Sequence, residues 1–129
     1  MQKTIKAGNN GQPEKPYNLQ QFMNFASGDY SGYRKILNAF LQSGKQNLLQ
    51  FRHKLHEKDN IALSELSHKM QPMFRYIGAF NIADSLAYLK DKKPEAESKG
   101  YYLLAESVLN DMEELLDKIH KNENIHPES

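Results

Sequence analysis

Apolar side chains recur at spacings of three and four along most of the chain, which is the pattern of amphipathic helices. Four long stretches show this spacing, over residues 29–57, 59–77, 79–90 and 98–119, and a short stretch covers residues 19–26. Stretches that alternate apolar and polar residues, as half-buried strands do, are almost absent. The pattern therefore predicts four substantial helices and a short leading one.

The predicted helices are separated by residues that favour helix ends. These residues are Asn18, Asp29 and Asp59 as N-caps, and Gly28 and Gly78 as helix ends. Residues 91–97, which contain Pro94, form the predicted connection before the last helix.

Helices that are each apolar on one side can bury those sides only against one another. Short connections place successive helices side by side in opposite directions. The sequence therefore predicts an all-α fold, an antiparallel four-helix bundle with a short additional N-terminal helix that covers one end. Gly44 falls on the inner face of the second helix, where its missing side chain would let another helix come close.

The start of the chain differs in composition from the rest. Residues 1–16 are rich in Gly, Asn, Gln and Lys and offer almost nothing to bury, which predicts either a flexible linker to a preceding domain or an untethered tail. Residues 17–121 form the predicted bundle, and residues 122–129 form a predicted polar tail.

Charge and composition bear on the class of function. The 129 residues carry 17 Lys and Arg against 16 Asp and Glu, a net charge of +1, which gives no case for nucleic-acid binding. The absence of Cys excludes a disulfide framework and a thiolate metal site, and suits the cytoplasm. No apolar run approaches the roughly 18 residues of a membrane span, so we expect neither membrane insertion nor a signal peptide.

His68 has the most unusual predicted position for its residue type. The apolar residues of the third helix cluster on one side and are Leu63, Leu66, Met70, Met73, Phe74 and Ile77. At about 100° per residue, His68 falls about 180° from the middle of that cluster. Its outward face is shared by Ser64, Glu65, Gln71, Pro72 and Arg75. We therefore expect an exposed imidazole among small and polar neighbours, open to a reaction partner.

The sequence around His68 resembles that of histidine-containing phosphotransfer (HPt) domains. Members of that family carry a phosphorylated His, a Lys three residues later, a Gly directly after it, and a Gly-Ala-like pair at the end of the same helix. In this chain His68 matches the phosphorylated His, and Gly78 and Ala79 match the distal pair at the right spacing. The resemblance extends over residues 19–91, whereas the last helix is similar only as a generic bundle helix.

Two positions near His68 depart from the family pattern. Gln71 stands where the family has Lys, and Pro72 stands where it has Gly. Because the family's Lys helps to hold the phosphoryl group, we hypothesise that Arg75, one turn further along the same face, supplies the positive charge. Pro72 lacks an N–H and crowds the carbonyl of His68, so we expect a bend there. That bend is either a tolerated kink or a small flat surface against which a partner presses.

The resemblance implies a phosphocarrier of a multistep two-component phosphorelay rather than an enzyme with its own ATP site. His68 would accept a phosphoryl group from an Asp of a receiver domain and pass it to an Asp of another receiver. The neutral, nucleophilic form of imidazole is abundant near pH 7. The sequence has no carboxylate cluster suited to Mg²⁺ beside His68, so we expect no bound cofactor and a Mg²⁺ ion supplied by the partner.

The expected partners are response-regulator receiver domains. The residues that we expect around the phosphoryl group and the partner are Ser64, Lys69, Gln71, Pro72 and Arg75, with Gly78 in a structural role. The chain would be a cytoplasmic monomer, either on its own or as the HPt module of a hybrid sensor histidine kinase.

Three other functions fit parts of the pattern. His53 and His56 stand three residues apart, as metal ligands on a helix can, but no third ligand has the right spacing. Dimerisation helices of sensor kinases also carry an exposed His, followed by an acidic residue and by a Pro five residues on. Here Lys69 follows the His, and Pro72 comes four residues on. A helical protein–protein interaction module without phosphate chemistry is the remaining alternative.

Overall fold

Five helices make up the described part of the protein. The computed structural model describes residues 16–92 and 98–125. The helices are α1 (Gln20–Phe25), α2 (Tyr30–His56), α3 (Asn60–Tyr76), α4 (Phe80–Asp91) and α5 (Lys99–Asn122). The described residues contain no strand, and none of their helices is long and apolar enough to cross a membrane. The predicted all-α bundle with a short N-terminal helix is confirmed, while residues 1–15 of the predicted linker and 93–97 of the predicted connection lie outside the described residues.

Side chains and glycines at the helix ends fix where the helices begin and stop. The side chains of Asp29, Asp59 and Ser98 each accept a hydrogen bond from the backbone N–H three residues later, at 3.1, 3.0 and 3.3 Å. Gly28 and Gly78 have φ angles of +79° and +76°, a left-handed conformation that residues with a side chain rarely adopt. The predicted Asp caps and glycine helix ends are therefore confirmed.

The four long helices close into a ring. Each packs against the next in the chain, and α5 returns to pack against α2. Side chains that are at most 1% exposed fill the centre, and they include Leu37, Leu41, Phe51, Leu63, Phe74, Leu86, Leu89 and Ile119. Gly44 lies in the α2–α5 contact, where a β-carbon would come within 3.0 Å of Leu116 Cδ1. The missing side chain of Gly44 therefore allows these two helices to approach closely, as predicted.

The short helix α1 covers one end of the bundle. Its Phe22 packs edge-on against Phe40 of α2 and at a tilt against Tyr76 of α3, with ring centroids 5.2 and 5.1 Å apart. Just before α1, the Asn18 N–H donates a hydrogen bond to the Ile77 carbonyl at 2.6 Å. These contacts hold α1 against the C-terminal end of α3.

The bundle extends further toward the C-terminus than the sequence predicts. Ile125, beyond the end of α5, is only 6% exposed. The Glu123 carboxylate accepts hydrogen bonds from the hydroxyls of Tyr17 and Tyr33, at 3.1 and 3.2 Å. Because of these contacts, residues 122–125 belong to the bundle, although the sequence predicts that they begin a polar tail over residues 122–129. The last four residues of the chain lie outside the described residues.

Buried tyrosines predict how the stability of the bundle changes with pH. Burial raises the pKa of Tyr33 and of Tyr101 to about 12, and the negative charge of Glu123 adds to the effect at Tyr33. Tyrosines of an unfolded chain lose their protons near pH 10. Between about pH 10 and pH 12, unfolding therefore releases protons, and the free energy of unfolding should fall as the pH rises.

Urea denaturation across this range tests the expectation. Tyr101→Phe removes one of the responsible groups and should make the decline shallower. Tyr88→Phe is the matched control, because Tyr88 is 51% exposed. Identical pH profiles for the two variants would contradict the role of the buried hydroxyl.

Candidate functional site

His68 lies near the middle of α3 with its side chain exposed, as predicted. The opposite side of the helix is buried, and Leu63, Met70 and Phe74 are each no more than 1% exposed. These three side chains anchor α3 in the core, so the helix presents His68 from a fixed support. An imidazole held in this way is accessible to a partner protein without rearrangement of the bundle.

The surface immediately around His68 is polar. Glu65, Lys69 and Pro72 are exposed, and Gln71 is half-buried. Helix α3 continues through Pro72, although a proline has no N–H to donate to the carbonyl four residues earlier, which is that of His68. Pro72 and His68 therefore share one exposed face, as predicted.

Ser64, predicted on the exposed face with His68, is buried. It is only 7% exposed, and its hydroxyl donates a hydrogen bond to the Lys90 carbonyl of α4 at 2.9 Å. The prediction that Ser64 lies on the exposed face is therefore wrong, because α4 covers it. The spacing of apolar residues indicates which side of a helix is buried. It does not indicate how far a neighbouring helix extends over the residues at the edge of that side.

The buried side of α3 faces α4 more directly than the cluster of apolar residues in its sequence predicts. Ser67 is fully buried, whereas Leu66 and Met73 on the other flank are only half-buried. Small side chains at positions 64 and 67 allow α4 to pack closely along α3 on this flank. The α3–α4 contact therefore forms one border of the surface that carries His68.

Ser67 leads to a prediction about stability. Its buried hydroxyl has no hydrogen-bond partner among the described residues. A buried hydroxyl without a partner is unfavourable, so Ser67→Ala should raise the free energy of unfolding by about 1 kcal/mol. Ser64→Ala is the matched control, because it removes the bond to Lys90 and should lower the free energy of unfolding by about 1 kcal/mol. Chemical denaturation measures both, and effects of the same sign would contradict the prediction.

Arg75 is engaged by its neighbours. Its guanidinium Nη2 donates to Asp84 Oδ1 of α4 at 3.1 Å. With the Gln71 amide oriented so that its oxygen faces Arg75, Gln71 accepts two further hydrogen bonds from Arg75 at 3.1 Å. Arg75 also lies two turns, or about 10 Å, along the helix from His68. A role for Arg75 in binding a phosphoryl group on His68 would require the guanidinium to leave these partners.

The two histidines of α2 are exposed on the helix surface. His53 Nε2 lies 3.3 Å from a carboxylate oxygen of Glu57, and His56 is exposed nearby. Within residues 16–92 and 98–125, no group of three His, Cys, Asp or Glu side chains could hold a metal ion.

A large open groove lies at the α1 end of the bundle. Its volume is about 860 Å³, and its lining includes Tyr17, Tyr33, Arg75 and Tyr76. His68 does not line this groove and lies on an open helix face instead. Since small molecules generally bind in concave sites, the position of His68 suits the surface of a partner protein better than a small substrate.

Comparisons with protein-family models, with curated proteins and with solved structures found no match for this chain.

Proposed function

We propose that the protein is a phosphocarrier of the HPt type, which accepts a phosphoryl group on His68 from an Asp of a receiver domain and passes it to an Asp of another receiver. The observation that carries this proposal is the exposed His68 on a helix whose opposite side packs into the core through Leu63, Met70 and Phe74. The resemblance of residues 19–91 to HPt domains supports it, including Gly78 and Ala79 at the end of the same helix.

The proposed reaction needs one nucleophilic atom from this chain. The unprotonated ring nitrogen of His68 attacks the phosphorus of the aspartyl phosphate, the P–O bond to the Asp breaks, and its electron pair leaves with the carboxylate. The second ring nitrogen keeps its proton. Attack by the carboxylate of the next receiver then breaks the P–N bond and returns the electron pair to the imidazole.

The receiver domain supplies the other groups in this proposal. Phosphoryl transfer needs in-line positioning and charge neutralisation, mainly from metal ions and cationic side chains. We assign the Mg²⁺ ion to the receiver, as the resemblance implies. The chain then acts as a carrier without an ATP site and not as an enzyme. It functions in the cytoplasm as a monomer that binds no nucleic acid, either alone or as a module of a hybrid sensor histidine kinase.

The proposed docking surface is centred on His68. It comprises the side chains of Glu65, Lys69, Gln71, Pro72 and Arg75, and we name it the His68 face. Ile61, two turns before His68 on α3, is 60% exposed and adds an apolar edge. This mixture of an apolar edge, one carboxylate and two cations suits a receiver, whose docking helix is apolar around an acidic pocket.

The closed ring of helices favours a carrier over the dimerisation helices of a sensor kinase. A dimerising helix pair leaves its apolar sides to be covered by a second copy. In this chain, α4 and α5 cover the inner sides of α2 and α3. The bundle is therefore complete within one chain, which supports a monomeric partner of receiver domains.

A transfer assay tests the proposal. The full chain is incubated with phosphorylated receiver domains of the same organism in the presence of Mg²⁺, and phosphopeptides are located by mass spectrometry. We expect acid-labile, base-stable phosphate on His68 from at least one receiver. If no receiver labels the chain, a helical interaction module without phosphate chemistry is the better account.

Gln71 provides a prediction about charge at the docking surface. Gln71→Glu places a negative charge one turn from the incoming phosphoryl group, and like-charge repulsion, partly offset by the neighbouring Arg75, should slow transfer about threefold. The rate is measured with a radiolabelled receiver.

A control for Gln71→Glu is Gln42→Glu on α2. Gln42 is exposed and shares its helix face with Lys45 and Leu49, which line the groove between α2 and α5. The control adds the same charge away from the His68 face. Equal transfer rates in the two variants would place the docking surface elsewhere.

A further inference from the structure

A phosphoryl group on His68 would need a positive charge close to it. Phosphorylation of a side chain adds up to about two negative charges at neutral pH. The cations of α3 are poorly placed to neutralise them, because Arg75 lies two turns from His68 and is bound to Asp84. Lys69, the next residue in the chain, projects about 100° around the helix from His68. The neighbouring helix α4 is therefore the alternative source of a cation.

One hydrogen bond places the backbone of Lys90, in α4, beside Ser64. The Ser64 hydroxyl donates to the Lys90 carbonyl at 2.9 Å. Carbonyl groups point toward the C-terminus of their helix, whereas side chains lean toward its N-terminus. The contacts Ser64–Lys90 and Arg75–Asp84 show that α4 runs antiparallel to α3. A side chain at position 90 that follows this general tendency leans from the level of Ser64 toward that of His68, one turn further along α3.

The side chain of Lys90 has the exposure that such a role needs. It is 33% exposed, which indicates that its carbon chain lies against the bundle while the ammonium group reaches solvent. Its Nζ lies 3.8 Å from Asp91 Oδ1, and the Asp91 side chain is 65% exposed. Long, exposed ion pairs contribute little stability, so the ammonium can exchange Asp91 for a phosphoryl group with little loss.

We infer that Lys90 is the positioning residue that neutralises the phosphoryl group on His68, in the role that the resemblance assigns to a Lys at the position of Gln71. This inference rests on the proposed function, because it concerns the same phosphoryl group. The cation then comes from the helix beside the phosphorylated one, and the Ser64–Lys90 hydrogen bond becomes part of the site. In this arrangement Gln71 does not contact the phosphoryl group, and its amide oxygen faces the Arg75 guanidinium instead.

Four variants of the full chain test this assignment: Lys90→Met, Lys90→Arg, Lys92→Met and Arg75→Met. Lys92 is exposed at the end of α4, so Lys92→Met removes the same charge two residues away. We measure the initial rate of His68 labelling by a phosphorylated receiver and, separately, by phosphoramidate, a small phosphoryl donor. We also follow the side-chain NMR signals of Lys90 when the unmutated chain is phosphorylated with phosphoramidate.

We expect Lys90→Met to slow labelling about tenfold, the factor that corresponds to one charge-assisted hydrogen bond. Lys90→Arg should restore most of the rate, and Lys92→Met should stay within about twofold of the unmutated chain. The Lys90 signals should shift on phosphorylation, which a merely structural role would not produce.

The possible results separate this inference from the proposed function. Equal rates for Lys90→Met and Lys92→Met, or a loss of rate in Arg75→Met alone, would overturn the role of Lys90 and leave the phosphocarrier intact. Labelling by phosphoramidate but by no receiver would remove the proposed function, while the Lys90 signals would still decide whether Lys90 contacts the phosphoryl group. Failure of both donors to label His68 would overturn both proposals.

Discussion

Replacing His68 with Gln should abolish phosphoryl labelling while the bundle remains folded. Gln is polar and of similar size but has no nucleophilic ring nitrogen, so it cannot form the phosphoramidate bond. His68 is exposed and contributes little to packing, so the melting temperature should change by less than about 2 °C. Labelling by a radiolabelled receiver and thermal unfolding by circular dichroism measure the two effects.

The matched control for His68→Gln is His56→Gln. His56 is also exposed on a long helix of the same bundle, but it lies on α2, outside the His68 face. This variant should be labelled as fast as the unmutated chain. If labelling survived in His68→Gln and disappeared in His56→Gln, the phosphoacceptor would lie on α2 instead.

Phe74→Ala should cause the largest loss of stability on the His68 helix. Phe74 is 1% exposed and lies on the side of α3 opposite His68. Truncation of a buried Phe removes apolar contacts and leaves a cavity, which together lower the free energy of unfolding by about 3–5 kcal/mol. Because whole domains are stable by only about 5–15 kcal/mol, this loss should be evident in urea denaturation.

Leu66→Ala provides the comparison for Phe74→Ala. The sequence predicts Leu66 on the same buried side of α3, but its side chain is half-buried. Its truncation should therefore lower the free energy of unfolding by only about 1–2 kcal/mol. A loss below about 1 kcal/mol for Phe74→Ala, or a larger loss for Leu66→Ala, would mean that α3 is rotated away from the orientation described above.

Local features of the fold could be predicted because each depends on a few neighbouring residues. Asp29 and Asp59 cap helices through hydrogen bonds to N–H groups three residues away, and Gly78 adopts a conformation that few other residues tolerate. The exposure of His68 follows from the helical period and from the apolar residues around it. Such features need no knowledge of how the helices pack together.

Features that depend on packing between distant segments could not be predicted in the same way. Ser64 is buried because α4 covers one flank of α3, and nothing in the spacing of apolar residues indicates which flank that is. The pairing of Arg75 with Asp84 depends on the register between the same two helices. Ile125 is buried where a polar tail was predicted, and Glu123 near it is bound to the hydroxyls of Tyr17 and Tyr33, which lie far away in the chain.

The residues of the candidate site also divide into those whose position the sequence predicts and those whose position depends on helix packing. His68, Lys69 and Pro72 are exposed on α3 as the sequence predicts, whereas Ser64 is not part of the accessible surface. The role proposed for Lys90 could not be inferred from the sequence around His68, because Lys90 belongs to another helix, whose register against α3 is seen in the Ser64–Lys90 hydrogen bond.

A pulse-chase experiment tests the proposed function most directly. The chain is labelled by one radiolabelled receiver, separated from it, and mixed with a second, unlabelled receiver and Mg²⁺. The proposed function predicts that the label leaves His68 and appears on an Asp of the second receiver at a rate that depends on its concentration. Label that stays on the chain, or that is released only as inorganic phosphate with every receiver tried, would contradict a role as a phosphocarrier.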